Sequence, residues 1–277
     1  MTNVPRSRPL PADHRRLLRD LAALLGTPQL VVYGGAARDL LIRPQGFAKD
    51  VDIAAGPLAH AAACRHRLLE HPDVEHVGES RDYWIRMTEP VIMFDVRWRG
   101  MTLDVNFLDD FGKIGHFDVE CVRWEHPAGT FIDPYGVTSE KETHSFSLVS
   151  PMGDENPVLL LNRLVKLSAK YDVDYTRDEE LAHLVGQLIE AAAAWNSDDG
   201  FHGAQADAAH ARALAVSVQR ARDGRAFLQM LLHSGAIACR NPVLAQALSK
   251  DPCAVAELAR VTSTESFWRL ANSWLCR

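Results

Sequence analysis

The chain has 277 residues, of which 47% are hydrophobic and 24% charged, as in a globular protein of one large domain or two smaller ones. Its formal net charge of -6 argues against a protein that grips a long stretch of nucleic acid, although locally clustered basic groups would still suit an RNA partner. No run of about 18 uncharged apolar residues occurs, and the first residues lack the apolar core of a secretory signal. The sequence therefore predicts a cytoplasmic protein with no membrane partner.

Predicted helices and strands alternate in the first half of the chain. Leucines from Leu17 to Leu25 recur on one helical face, and Gly26 ends this helix. The apolar run Leu30–Tyr33 predicts a buried strand, which Gly34 and Gly35 connect to a short helix. The later predicted elements are a strand over Lys49–Ala54, a helix over Pro57–Glu70, and strands over Tyr83–Thr88, Val91–Trp98 and Met101–Leu108.

The second half of the chain has a different pattern. After a break at Pro151–Asp154, the sequence predicts helices almost exclusively, and Asn196–Gly203 is a predicted loop between two of them. The predicted helices cover Val158–Tyr171, Asp178–Trp195, Ala206–Arg222 and Arg225–Ser234, with shorter ones to the end. We therefore predict an α+β protein, with a mixed α/β head over residues 1–150 and a helical part over residues 151–277.

Asp50 and Asp52 form a D-x-D pair on one face of a predicted strand, because side chains alternate along a strand while Val51 and Ile53 point into the core. Two adjacent carboxylates repel each other unless a cation lies between them. Magnesium prefers carboxylate oxygens together with substrate phosphates, and two such ions can hold the attacking and leaving oxygens of a displacement at phosphorus. The pair therefore predicts a two-metal Mg²⁺ site.

Gly34 and Gly35 lie between an apolar strand and a helix. Glycine adopts positive φ and allows close approach of the backbone to a ligand, and the N–H groups at a helix start attract an anion. The turn has neither the GxGxxG nor the Walker pattern. We expect it to hold the phosphates of a nucleoside triphosphate.

A third carboxylate is expected to complete the metal site. Asp104 alternates with the apolar Leu103 and Val105, so it lies on the polar face of its strand, where a neighbouring strand could bring it beside Asp50 and Asp52. We expect Asp104 to bind the catalytic metal and to orient or deprotonate the attacking hydroxyl. Asp95, on the preceding predicted strand, is the alternative.

Two motifs resemble the head of the class II CCA-adding enzymes and bacterial poly(A) polymerases, a family within the DNA polymerase β-like nucleotidyltransferase superfamily. The family's pattern GGxVRDxLL followed by a D-x-D strand is matched by Gly34–Leu41 and Lys49–Ile53. Phe131–Gly136 is similar to the family's DP-[FY]-G segment, and Glu155–Pro157 to the start of its neck helices. The resemblance, over roughly residues 28–175, implies a polymerase β-like head with a mixed sheet, then a helical neck and bundle.

The resemblance implies a role for Arg38 and Asp39 in binding the nucleotide, although Arg38 could instead pair with a carboxylate and brace the turn. The family's RRDFTINA-like segment contacts the incoming nucleotide, but its counterpart Gly115–Cys121 lacks both arginines and the aspartate. The base-reading EDxxR motif of the neck corresponds to Glu155–Leu159, without the arginine. Arg163 or Lys166, about one turn later, could bind the nucleotide instead.

The sequence thus predicts a nucleotidyltransferase that uses Mg²⁺, binds a nucleoside triphosphate and transfers a nucleoside monophosphate to a hydroxyl, releasing pyrophosphate. The resemblance favours the 3′ end of an RNA or tRNA as the acceptor. The net charge and the altered nucleotide motifs favour a small molecule or a protein, and a module that binds nucleotide without turnover is a further alternative. An RNA acceptor would require local positive charge, as on the predicted helical face of Arg163, Lys166 and Lys170.

Overall fold

The computed structural model describes residues 12–42, 50–85, 89–111, 114–136, 146–150, 156–195 and 200–275. Within these ranges, the side chains of residues 13–14, 39–42, 50, 81–85, 89, 200–205 and 274–275 are outside the description. The chain forms two compact units. The first comprises Met1–Glu142 with Phe146–Asp154, and the second Thr143–Ser145 with Glu155–Arg277.

The first unit is a sheet with helices on one of its faces. Its described strands are β1 (Leu30–Tyr33), β2 (Asp50–Ala54), β3 (Val74–Val77), β4 (Arg81–Ile85), β5 (Glu89–Trp98), β6 (Met101–Phe107), β7 (Arg123–His126) and β8 (Thr130–Ile132). Its helices are α1 (Ala12–Leu25), α2 (Gly34–Ile42) and α3 (Ala61–Glu70). The strand order is β3-β5-β6-β2-β1-β7-β8, and β4 also pairs with β5.

The sheet is mixed, because β2 and β6 are parallel while the other described pairs are antiparallel. One face carries apolar side chains that pack with the leucines of α1 into a single core, which includes Leu18, Val32, Phe94, Trp98 and Trp124. Burying this face provides the main driving force for folding of the unit. The opposite face carries polar side chains of the alternating strands together with a smaller apolar cluster that includes Val31, Ala54 and Val91.

The second unit is helical throughout its described residues. Its helices are α4 (Pro157–Tyr171), α5 (Glu179–Ala194), α6 (Gly200–Arg220), α7 (Gly224–His233), α8 (Pro242–Lys250), α9 (Pro252–Ala259) and α10 (Thr264–Leu275). An Asn or Asp side chain accepts N–H groups at the start of five of them, which satisfies donors that the helix itself leaves unpaired: Asn156, Asp178, Asp223, Asn241 and Asp251.

The predicted fold class is confirmed, and several element boundaries are corrected. The sequence pattern does not predict strands β3, β7 and β8, and α1 begins before the first leucine of its apolar face. The loop predicted over 196–203 is wrong for its second half, because α6 already begins at Gly200. Ser, Asp and Gly favour loops but are also common just before a helix. The residues that predicted a loop at 196–203 are therefore equally compatible with the start of α6. The predicted break at 151–154 lies outside the described residues.

No helix within the described ranges is both long and apolar enough to cross a membrane.

Candidate active site

Asp52 and Asp104 lie side by side on two neighbouring strands. In the parallel register of β2 and β6, Asp52 pairs with Asp104, and Asp50 with Thr102. Paired residues of adjacent strands share one face, and the strands are about 4.8 Å apart. The residues that alternate with them are buried on the opposite face: Val51, Ile53, Leu103 and Val105. The sheet thus places two of the three predicted carboxylates together, while the side chain of Asp50 lies outside the described residues.

The glycine turn approaches this carboxylate pair closely. Gly34 begins α2 directly after β1 and has a φ of +65°. A Cβ added to Gly34 would lie 2.8 Å from Oδ2 of Asp52. Only glycine combines a left-handed backbone with this approach without moving Asp52. Of the two glycines in this turn, Gly34 has a positive φ and Gly35 does not, so the first glycine carries the conformational constraint.

Asn106 is a residue of this site that the sequence pattern did not identify. It is 1% exposed, and its Nδ2 donates to the carbonyl oxygens of Ile53 at 3.3 Å and Asp104 at 2.9 Å. The bond to Ile53 links β6 to β2 immediately beyond the carboxylate pair, and the bond to Asp104 lies within β6. The sequence signal that could have identified it is an asparagine two residues after Asp104, at the otherwise apolar end of the strand.

Asp95, the alternative third carboxylate, is one strand further from Asp52. It pairs with Asp104 across β5 and β6, so it lies on the same face of the sheet. Its Oδ2 is 3.5 Å from Nε2 of His76, and a Cβ added to Gly78 would overlap its carboxylate. Asp104 is therefore the direct neighbour of Asp52, and Asp95 is directed toward β3 and the turn after it.

The side chain of Arg38, on α2, is buried and does not lie at the surface of the glycine turn. Its side chain is 4% exposed, and Nη1 donates to the carbonyl oxygen of Val119 at 3.1 Å. This bond ties α2 to a 3₁₀ turn over Asp118–Glu120. The geometry favours a bracing role for Arg38 over a contact with phosphate. The side chain of Asp39 lies outside the described residues.

Buried acidic groups lie in and beside the turn held by Arg38. Glu120 and Asp133 are each 5% exposed. Burial raises the pKa of the Asp118 carboxyl, and the carboxylates of Asp133 and Glu120 raise it further, whereas two backbone hydrogen bonds lower it.

The segment that replaces the family's RRDFTINA-like stretch has its own internal structure. Oε2 of Glu120 accepts the N–H groups of His116 and Phe117, each at 3.3 Å. Gly115 has a φ of +90°, and a Cβ there would lie 3.0 Å from both Sγ of Cys121 and the carbonyl carbon of Glu120. A side chain at Gly115, where the resemblance would place an arginine, would therefore be strained and tightly packed.

The second unit presents the predicted basic face on α4. Arg163, Lys166 and Lys170 are all exposed, as their three- and four-residue spacing predicts. Leu159, which stands in the place of the family's base-reading arginine, is 54% exposed. Asn156 caps the same helix by accepting the N–H groups of Val158 and Leu159.

The donor atoms of the carboxylate pair fit a divalent cation. Carboxylate oxygens are the protein ligands that Mg²⁺ prefers, and Gly34 leaves open the space beside Oδ2 of Asp52 that a Cβ would fill. Among the side chains that the structure describes, no three His, Cys, Asp or Glu residues form a metal-binding group. Asp50, the third ligand that we predict, is not among those side chains.

Comparison with solved structures identifies the fold. The chain is similar to a CCA-adding enzyme in complex with CTP, with a TM-score of 0.58 and 14% identity over 96% of this chain and 66% of the other. For a tRNA-processing enzyme in its apo form, the TM-score is 0.60 and the identity 13%, over 97% and 72% of the two chains. For the Thermotoga maritima CCA-adding enzyme in complex with tRNA, the values are 0.55 and 14%, over 93% and 61%.

No family model matches the chain, and no curated protein matches it. The chain spans about two thirds of the length of the first CCA-adding enzyme structure to which it is similar. The similarity nevertheless extends over nearly all of the present chain, including both compact units. The resemblance inferred from the motifs is thus confirmed at the level of architecture: this chain has the α+β head and helical fold of the CCA-adding enzymes.

Proposed function

We propose that this chain is a nucleotidyltransferase that transfers a nucleoside monophosphate from a nucleoside triphosphate to a hydroxyl group and releases pyrophosphate. The observation that carries the proposal is the registered pair Asp52 and Asp104, with Gly34 in close approach. A carboxylate pair beside a helix start combines a site for cations with a site for phosphates.

In this proposal Asp50, Asp52 and Asp104 hold two Mg²⁺ ions. When bound, these ions neutralise charge on the phosphates and on the attacking and leaving oxygens. Asp104 also orients the acceptor hydroxyl and accepts its proton. Gly34 and Gly35 place backbone N–H groups against the triphosphate at the start of α2. Catalysis then consists mostly of positioning and charge neutralisation, as in phosphoryl transfer generally.

We propose an RNA 3′ end, such as that of a tRNA, as the acceptor. The support is the shared fold over most of the chain with CCA-adding enzymes, one of them solved with tRNA, and the exposed basic face of α4. Arg163 and Lys166 on this face would also contribute to nucleotide binding in the absence of the family's base-reading arginine. The changed segment at Gly115–Cys121 means that CCA addition itself is not part of the proposal.

The proposal is tested by incubating the full chain with Mg²⁺, each of four labelled nucleoside triphosphates in turn, and a defined tRNA lacking its 3′ end. Labelled RNA and released pyrophosphate in equal amounts are the expected result. In a parallel incubation with a cell lysate, label in a protein or a small molecule would show that the acceptor is not RNA. If no acceptor gives release of pyrophosphate, the proposed catalysis is contradicted.

Three substitutions locate the chemistry. Asp52→Asn and Asp104→Asn should each reduce transfer by at least about 10²-fold, because each removes a charged ligand while conserving side-chain size. Asp95→Asn is the matched control, since Asp95 lies on the same face one strand further away. It should retain most of the activity. Equal losses in Asp95→Asn and Asp104→Asn would contradict the assignment of Asp104 as the third ligand.

A further inference from the structure

A cavity of about 480 Å³ lies between α1 and the hairpin formed by β7 and β8. Its size falls within the range of about 300–1,000 Å³ that is common for small-molecule sites. The lining residues are Ala12, Arg15, Arg19, Trp124, His126, Pro127 and Gly129. No acidic residue is among these described lining residues, so the walls combine positive charge with an aromatic ring and backbone.

The basic side chains of the cavity have no partners within the described part of the chain. Arg15 and Arg19 are exposed, lie four residues apart on α1 and make no ion pair there. Burial lowers the pKa of His126, and the charge of Arg19 lowers it further. Two guanidinium groups beside a neutral imidazole form a local positive field that an anion would compensate.

Trp124 lies beneath the floor of the cavity, because the residue is 1% exposed and its Nε1 is buried. The accessible lining beside the two arginines consists of the partly exposed imidazole of His126, the ring of Pro127 and the backbone of Gly129. This lining would suit the flat part of a ligand.

The cavity is distinct from the candidate active site. Trp124 pairs with Val32 and shares the core on the helix side of the sheet. Asp52 instead pairs with Tyr33, the next position on β1, and therefore lies on the opposite face. A ligand in the cavity would not contact the carboxylate pair.

We propose that this cavity is a second binding site, specific for a phosphate ester of nucleotide size. The phosphate would be held by Arg15 and Arg19, whose planar guanidinium groups match its oxygens, and the flat part would lie against the ring of His126. The site stands independently of the proposed transfer reaction, because none of its residues belongs to that site.

The experiment is a calorimetric titration of the full chain, in EDTA, with AMP, inorganic phosphate and adenosine. AMP should bind more tightly than either fragment. Arg15→Gln combined with Arg19→Gln should weaken AMP binding by at least about tenfold, because both charged contacts to the phosphate are lost. The double variant Arg212→Gln/Arg225→Gln, two exposed arginines of the second unit, removes the same charge and should leave the affinity unchanged.

Three results would overturn the proposal. The first is the absence of AMP binding in the wild type, and the second is equal weakening by both double variants, which would indicate a general charge effect. The third is loss of AMP binding in Asp52→Asn, which would place the ligand at the candidate active site. Failure of the transfer assay would leave these titrations unaffected, so the two proposals fail separately.

Discussion

Gly34→Ala, compared with a control glycine, separates the effect of backbone strain from the effect of moving Asp52, a proposed catalytic carboxylate. The substitution forces a residue with a Cβ into a φ of +65°, and it places that Cβ 2.8 Å from Oδ2 of Asp52. The strain alone costs about 1–2 kcal/mol. The contact adds about 0.5–1.5 kcal/mol, since the short carboxylate side chain can turn away at the cost of an unfavourable rotamer.

Gly100→Ala is the matched control. Gly100 also has positive φ, at +74°, but an added Cβ would meet nothing within 4 Å. This variant therefore measures the strain without the contact. The difference in unfolding free energy between the two alanine variants should be about 1 kcal/mol, and it should vanish when both are made in an Asp52→Ala background.

The effect on activity should be much larger than the effect on stability. A shift of a catalytic group by about 1 Å can reduce the rate by about 10²-fold. We therefore expect kcat/KM of Gly34→Ala to fall by about that factor, while Gly100→Ala keeps wild-type activity. Urea unfolding followed by tryptophan fluorescence gives the stabilities, and release of pyrophosphate gives the activities.

The reasoning would be refuted if Gly34→Ala remained folded with near-wild-type kcat/KM. It would equally be refuted if Gly34→Ala and Gly100→Ala lost the same stability both with Asp52 present and in the Asp52→Ala background, because the contact would then have no energetic effect.

Three other predictions concern stability and RNA binding. Asn106→Leu should lower the unfolding free energy by about 1–3 kcal/mol, measured by urea denaturation, because two carbonyl oxygens lose their donor. The ring nitrogens of His210 lie 2.6 Å from the side-chain oxygen of Asn162 and 2.9 Å from the carbonyl oxygen of Ala236, and burial lowers the pKa of His210. As the pH falls, the unfolded chain therefore takes up the proton before the folded chain does. The unfolding free energy should decrease as the pH drops below about 6.5. That fall, seen as a decrease of Tm between pH 7.5 and 5.5, should be smaller in His210→Gln. Lys166→Glu with Lys170→Glu should weaken RNA binding and make its salt dependence shallower, and an unchanged slope would argue against an RNA acceptor on this face.

The carboxylates were predictable from the sequence to different degrees. The D-x-D pair follows from strand alternation alone, a local property of five residues. The pairing of Asp52 with Asp104 depends on the register between strands that are some 50 residues apart, and a shift of one residue would have reversed the face. The choice between Asp95 and Asp104 likewise required the order of β5, β6 and β2 in the sheet.

Other features were not accessible from local patterns. β7 has only four residues, and its charged Arg123 and Glu125 alternate with Trp124, so the apolar signal is too short to distinguish it from a loop. The burial of Arg38 is set by how α2 packs on the sheet and by the distant Val119, 81 residues further along the chain. Long-range packing, not propensity, decides such positions.

In the proposed function, the carboxylates that would bind metal can be kept while the segment that would contact the nucleotide changes, because different kinds of structure hold them. Asp52 and Asp104 depend on the paired backbones of β2 and β6, with a buried Asn106 bonded between the strands. The segment that resembles the family's nucleotide-contacting stretch instead lies in the connection between β6 and β7, where Glu120 accepts the N–H groups of His116 and Phe117 and Gly115 has a positive φ. Connections tolerate substitution better than paired strands. Divergence of base recognition in this fold therefore requires no change in the geometry of the carboxylate pair.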